Sequence, residues 1–192
     1  RPKAPAEAIR AAAAALTSGE ECMLHISDTA LMGEALEMAG RIVAKTGCRL
    51  SCKTSNRRWE RGAGRVPVER IQYPVDIALK QLETVKNLIL LGAPVPVAFF
   101  AYPNKPSVLI PESCNVVDVA PEGYDLLDAL TAIAAELGAT DIEPVRQKAE
   151  KPALMSGELT PESIAAAIGN LMPKDAIIAD ESVTSGRGLM PF

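Results

Sequence analysis

The chain has 192 residues, of which 48% are hydrophobic and 23% charged, and its formal net charge is −4. That hydrophobic share supports a packed core and excludes a disordered chain, while the acidic balance lacks the basic footprint of a nucleic-acid binder. Every apolar run falls short of the ~20 residues that a membrane span requires, so neither nucleic acid nor membrane is an expected partner.

Pro2 and Pro5 read as the end of a linker feeding a helix. In it Ile9, Ala13 and Leu16 recur at helical spacing until Gly19. Cys22 to Ile26 is an apolar run of strand length. Asp28 or Thr29 is suited to cap the next helix; there Leu31, Ala35, Met38 and Ile42 share one face, and Gly47 closes it. Arg49 to Cys52 is a second short strand. Residues 53–70 are polar, contain glycine and are rich in arginine, and they read as a long loop. Pro74 opens a helix whose stripe is Val75, Ala78, Leu82 and Val85. Asn87 to Leu91 is a strong strand ended by Gly92, Ala93 and Pro94. Residues 107–110 and 115–119 are further strand candidates. Leu126, Leu130, Ile133 and Leu137 mark another helix, closed by Gly138. Residues 141–158 are charged, carry Pro144 and Pro152, and read as a linker. Thr160 caps and Pro161 starts a last helix, with Ile164, Ala167 and Leu171 on its apolar face. A strand at 175–179 follows.

Strands alternating with amphipathic helices imply βαβ units. The expected fold is therefore a doubly wound α/β domain over residues 1 to about 140, with a mostly parallel sheet and helices on both faces. The final strand has no following layer to bury it, and the chain starts Arg1-Pro2-Lys3. Both features suggest a piece excised from a longer protein.

In an open α/β sheet, ligands bind outside the carboxyl ends of the strands. Four loops meet that condition: 25–29, 53–65, 92–102 and 180–186. The first lacks a GxGxxG turn, and Asp28 would repel a pyrophosphate. His25, the only histidine, is read as structural. The second loop holds Arg57, Arg58, Arg61 and Arg65, whose forks suit phosphate or carboxylate groups but serve equally in inter-element salt bridges. The third, with Phe99, Phe100 and Tyr102, either walls an apolar pocket or packs against another domain. In the fourth, Ser182, Thr184 and Ser185 could donate to a phosphate. Cys22, Cys48, Cys52 and Cys114 include no CxxC and do not make a zinc set. Cys48 and Cys52 would face the same side of a strand, and all four read as small buried hydrophobes in a reducing cytoplasm.

Four stretches together resemble the middle portion of thiamine-diphosphate-dependent enzymes of the acetolactate synthase and benzoylformate decarboxylase group. They are Ala39-Gly40-Arg41-Ile42 through Leu50; Glu60-Arg61-Gly62-Ala63-Gly64-Arg65 through Pro74; Leu90-Leu91-Gly92-Ala93; and Pro96-Val97-Ala98-Phe99-Phe100-Ala101-Tyr102-Pro103. The group has pyrimidine-binding, central and diphosphate-binding domains in that order. The resemblance implies a Rossmann-like central domain at 1–150, a linker at 151–158 and the truncated start of a diphosphate-binding domain at 159–192. By the same likeness Ser182, Thr184 and Ser185 touch the cofactor diphosphate, although Val183 stands where a hydroxyl residue is expected.

The implied parent is a 2-oxo acid carboligase or decarboxylase that uses thiamine diphosphate and Mg. It is a cytoplasmic homo-oligomer that needs the missing N- and C-terminal domains. The group's activating glutamate and Gly-Asp-Gly metal motif lie outside these residues, so the piece alone is expected to be inactive, with no catalytic or metal residues and no tightly held cofactor. Acetolactate synthases hold FAD in the central domain, while the first loop here lacks the Gly-rich turn. The alternative is a stand-alone nucleotide-binding or regulatory module that uses the arginine-rich loop 53–65.

Overall fold

The computed structural model describes residues 1–182 and 184–189. The chain divides into two compact units. One comprises Arg1–Glu60 and Val66–Val145, the other Arg61–Arg65 and Arg146–Phe192.

The first unit is a five-stranded sheet in the order β3-β2-β1-β4-β5, with every neighbouring pair parallel. Its strands are β1 (Cys22–Ile26), β2 (Arg49–Cys52), β3 (Glu69–Arg70), β4 (Asn87–Leu91) and β5 (Asn115–Ala120). The helices are α1 (Ala6–Leu16), α2 (Gly33–Thr46), α3 (Val75–Leu82) and α4 (Leu126–Glu136). β1 and β4 are buried along their whole length, which suits central strands covered on both faces and explains their continuous apolar sequence.

Alternation along the strands divides the core into two layers. Leu24, Ile26, Leu50, Cys52, Ile89 and Leu91 face one way and pack with residues of α1, α2 and α4. Met23, Leu88 and Leu90 face the other way and pack with Val75, Ala78 and Leu82 of α3. Fully burying each such aliphatic side chain contributes about 1.5–3 kcal/mol. The expected α/β fold with helices on both faces is therefore the one found.

Several local expectations are corrected. Residues 107–110 form no strand of the sheet; they make a single antiparallel bridge, Val97 to Val108. Pro94, Pro96, Pro106 and Pro111 bracket the two segments and deny a longer ladder its donors. The long loop contains β3, two residues that pair with Ser51 and Cys52. Neither Asp28 nor Thr29 caps α2. They form a 3-10 turn through Leu31, and Met32 occupies the cap position without a side-chain bond. Pro74 takes the cap position of α3, one residue before the first helical place.

The second unit holds α5 (Pro161–Leu171) and a 3-10 turn at Ser185–Leu189. Thr160 accepts from Ser163 N, and Ser163 Oγ accepts from Thr160 N, completing a capping box with Pro161 at the helix start. The segment 61–65 joins this unit through reciprocal backbone bonds: Gly64 N donates to Gln147 O and Gln147 N to Arg65 O, both at 2.8 Å. Residues 176–182 form no strand, and Ile177 is 95% exposed. Among the described residues no second strand pairs with this run, and a single extended run without a ladder leaves its backbone groups to water.

Candidate functional site

The chain runs outward from β1 through β2 to β3, then returns to place β4 on the other side of β1. The reversal between β1 and β4 is where an open α/β sheet forms its ligand crevice. The loops there begin at Ser27 and Gly92. Ser27 N donates to Leu91 O at 3.1 Å, and Gly92 N donates to Ala120 O at 2.7 Å. Gly92 has a φ of 66°, and a Cβ on it would stand 2.6 Å from Leu126 Cδ1 and 3.3 Å from Ser27 O. Only glycine lets these two loops approach so closely.

The crevice rim carries acid as well as base. Arg57 lies 3.5 Å from Asp28 and 3.1 Å from Glu122. Ser27, 1% exposed, donates to Asn56 Oδ1 at 3.5 Å, and Asn56 in turn donates to Lys53 O at 2.8 Å. A phosphate at this edge would face two carboxylates for one shared guanidinium. Three arginines of the long loop are each engaged within their own unit. Arg57 serves Asp28 and Glu122, Arg61 donates to Leu189 O at 2.6 Å, and Arg65 lies 4.0 Å from Asp175. Salt bridges and a backbone contact account for the placement of Arg57, Arg61 and Arg65.

His25 lies inside the sheet, 1% exposed, with Nδ1 2.8 Å from Ser51 Oγ on the neighbouring strand. Burial, reinforced by the Lys53 charge, pushes its pKa down to about 4. The ring is neutral at neutral pH and sealed from solvent, so it acts as a structural donor or acceptor.

Tyr73, Phe99, Phe100 and Tyr102 form a chain of ring contacts with centroids 5.7, 4.8 and 6.3 Å apart. Phe99 and Phe100 are 71% and 56% exposed. Beside them is a shallow cleft of about 430 Å³ lined by Tyr73, Val75, Asp76, Tyr102 and Lys105. The aromatic loop therefore presents its rings outward instead of filling the core of its own unit.

The turn at 180–186 belongs to the second unit. Ser182 N and Oγ both donate to Asp180 Oδ1, at 2.9 and 2.6 Å. Gly186 sits against this pair: a Cβ there would lie 2.0 Å from Ser182 Oγ and 2.7 Å from Asp180 Oδ1. Thr184 and Ser185 are exposed, and Val183 lies outside the described residues. The Ser182 amide and hydroxyl thus already converge on an anion, the carboxylate of Asp180. That donor set suits a diphosphate, which would have to replace the carboxylate. Sequence reading missed Asp180, although an aspartate two residues before a serine signals an Asx turn. Among the described residues, no three His, Cys, Asp or Glu side chains gather where they could hold a metal ion, and no helix is long and apolar enough to cross a membrane.

No protein-family profile matches the chain. It is 45% identical over 174 residues to a protein of Mycobacterium tuberculosis (strain ATCC 25618 / H37Rv) provisionally named acetolactate synthase large subunit IlvX. The alignment takes in 91% of this chain and 33% of that protein, so the chain spans about a third of the length of the curated relative it matches. The thiamine diphosphate-dependent 4-hydroxybenzoylformate decarboxylase of Rhodococcus jostii RHA1 superposes with a TM-score of 0.71 at 15% identity, over 100% of this chain and 39% of that one. A Mycobacterium smegmatis protein, provisionally described as a thiamin diphosphate-dependent enzyme, gives a TM-score of 0.63 at 16% identity, over 91% and 37%. At these identities the superpositions establish the fold.

Proposed function

We propose, for a chain related in sequence to an acetolactate synthase large subunit and folded like a part of thiamine-diphosphate-dependent enzymes, that it serves a larger enzyme which decarboxylates a 2-oxo acid or ligates the product. Residues 1–150 are the central domain, 151–158 a linker and 159–192 the start of the diphosphate-binding domain. The observation that carries this reading is the match of nearly the whole chain to one third of a single relative. The parent supplies Mg and a pyrimidine-binding domain from residues outside this chain, assembles as a homo-oligomer and works in the cytoplasm. Isolated residues 1–192 are inactive.

Ser182, Thr184 and Ser185 are assigned to the cofactor diphosphate. Thiamine diphosphate, when bound, supplies the electron sink for loss of carbon dioxide. This chain's own part is to hold the diphosphate. The convergence of the Ser182 amide and hydroxyl on the Asp180 carboxylate supports the assignment, because the same donors suit a phosphate oxygen. Asp180 then turns out of the site.

The reading frame around residues 1–192 tests the proposal. It is expected to encode a further α/β domain before Arg1 and a Gly-Asp-Gly motif after Phe192, and its full product is expected to release carbon dioxide from a 2-oxo acid only when thiamine diphosphate and Mg are supplied. In that product Ser182→Ala is expected to raise the cofactor concentration for half-maximal rate about 10-fold, the loss of one charge-assisted hydrogen bond. A frame that stops at Phe192, or a full product that decarboxylates nothing, overturns the reading.

A further inference from the structure

Cys22 opens β1, and Cys48 stands one residue before β2. The parallel register pairs Met23 with Arg49 and Leu24 with Leu50. One step back along both strands sets Cys22 beside Cys48. Alternation puts Cys22 on the face of Leu24 and Ile26, and Cys48 on the face of Leu50 and Cys52. All six belong to the same core layer. The two residues therefore lie side by side on neighbouring chain segments, where backbones run about 4.8 Å apart. That falls within the Cα separation of about 4.4–6.8 Å that a disulfide spans.

Three further observations mark this pair. The Cys48 thiol interacts with the Leu24 backbone of β1, and the Cys22 thiol donates to Ala15 O at 3.0 Å and Glu20 O at 3.2 Å, so closure needs the Cys22 side chain to leave these acceptors. Burial pushes the Cys48 pKa up to about 11. Both cysteines line a cavity of about 340 Å³ at the amino ends of the strands, together with Leu16, Glu20, Glu21 and Arg49. Cys22 and Cys48 keep 4% and 6% exposure, whereas Cys52 is sealed at 0%. Cys52 sits opposite Ile26 at the other end of β2, and Cys114 packs against the other core layer.

We propose that Cys22 and Cys48 form a redox-sensitive dithiol that closes to an intrachain disulfide by exchange with a small-molecule disulfide admitted through this cavity. One cysteine, as its thiolate, attacks the S–S bond of the reagent, forms a mixed disulfide and expels one reagent thiolate. The second cysteine attacks the protein-side sulfur of that mixed disulfide and expels the other. Each protein sulfur is oxidised by one electron, the reagent takes both electrons and leaves as two thiols, and the two cysteine protons end on them. Because the attacking species is the thiolate, a buried thiol with a raised pKa makes the exchange slow at neutral pH and faster as pH rises.

The test is incubation of the folded chain with glutathione disulfide, an acid quench, and titration of thiols in denaturant. All four cysteines are free at the start. The expected result is loss of half the titratable thiols without retained glutathione, and a peptide linking Cys22 to Cys48 in a non-reducing digest. The variant carrying Cys52→Ser and Cys114→Ser is expected to lose both remaining thiols, and Cys22→Ser to form no intrachain link. Retention of all four thiols, a stable glutathione adduct as the end product, or a link through Cys52 or Cys114 would overturn the proposal.

Discussion

The two units bury different things. In the first, Leu24, Ile26, Leu31, Leu88, Ile89, Leu91 and Leu130 are at 0% exposure, and large aliphatics fill both faces of the sheet. Among the described residues of the second, the buried hydrophobics are Ala165 and Ala166, while Ile164, Ile168 and Leu171 of the same helix are 39%, 40% and 71% exposed. A helix whose small side chains are buried and whose large ones stay partly or mostly exposed draws less from the hydrophobic effect. It is held by hydrogen bonds: its capping box within the first turn, and two bonds to the preceding segment, from Asn170 Nδ2 to Pro152 O at 2.8 Å and from Lys151 Nζ to Asn170 O at 3.0 Å. The difference shows where stability is carried by packing of large side chains and where by hydrogen bonds.

The sharpest way to break this comparison is to truncate one large aliphatic in each unit. Ile89→Ala, at a fully buried position of β4, is expected to cost about 2–5 kcal/mol in urea unfolding. Leu171→Ala, at 71% exposure, is expected to stay within about 0.5 kcal/mol. Equal losses would mean that the second unit has a core of its own.

The next effect is a pH dependence confined to the first unit. His25 is neutral in the fold, with a pKa near 4, against about 6.5 in the unfolded chain. Above pH 6.5 both states are neutral, and the group adds no slope. As pH falls from 6.5 towards 4 the unfolded chain takes up a proton that the folded chain refuses, so stability is lost at up to about 1.4 kcal/mol per unit, roughly 3 kcal/mol in all. Thermal unfolding from pH 7 to 4 measures it. His25→Asn, which keeps a polar partner for Ser51, is expected to flatten the curve.

Gly92→Ala ranks third. It would hold a Cβ at a φ of 66° and press it to 2.6 Å from Leu126 Cδ1, and a cost of about 1–3 kcal/mol is expected. Urea unfolding checks it. A neutral result would show that the β1 and β4 loops can separate, loosening the crevice that the fold places between them.

What could be read from sequence follows the same division. β1, β4, α2 and α4 were legible because their apolar spacing is dictated by burial, which the structure supplies. The run at 175–179 has the same apolar composition yet forms no strand, because strand preference is largely a preference for paired, half-buried surroundings. β3 was illegible because two residues carry no period; its place is set by pairing with Ser51 and Cys52. At the sites, the lack of a Gly-rich turn after β1 was readable. That Arg57 meets Asp28 and Glu122 was not, since Glu122 lies 65 residues further along the chain. Sequence showed hydroxyls at 182, 184 and 185 but not that Asp180 already engages Ser182.

The smallest effect tests the hydrogen-bonded side of the comparison. Thr160 Oγ1 accepts from Ser163 N at 3.2 Å, and Ser163 Oγ accepts from Thr160 N at 2.8 Å, so Thr160→Ala removes an acceptor and leaves an N-terminal amide of α5 to water. The expected cost is about 1 kcal/mol, read as faster hydrogen exchange of the first-turn amides of α5. The same truncation at Asp125, whose carboxylate accepts from Asp128 N at the start of α4, removes an equivalent bond. There, however, the helix is also held by the fully buried Leu130 and Ile133. If packing is what separates the units, Thr160→Ala should open α5 while Asp125→Ala leaves α4 protected at the same nominal cost. If instead both helices fray alike, buried side chains are not what distinguishes them, and the contrast between the units reduces to the quality of their caps.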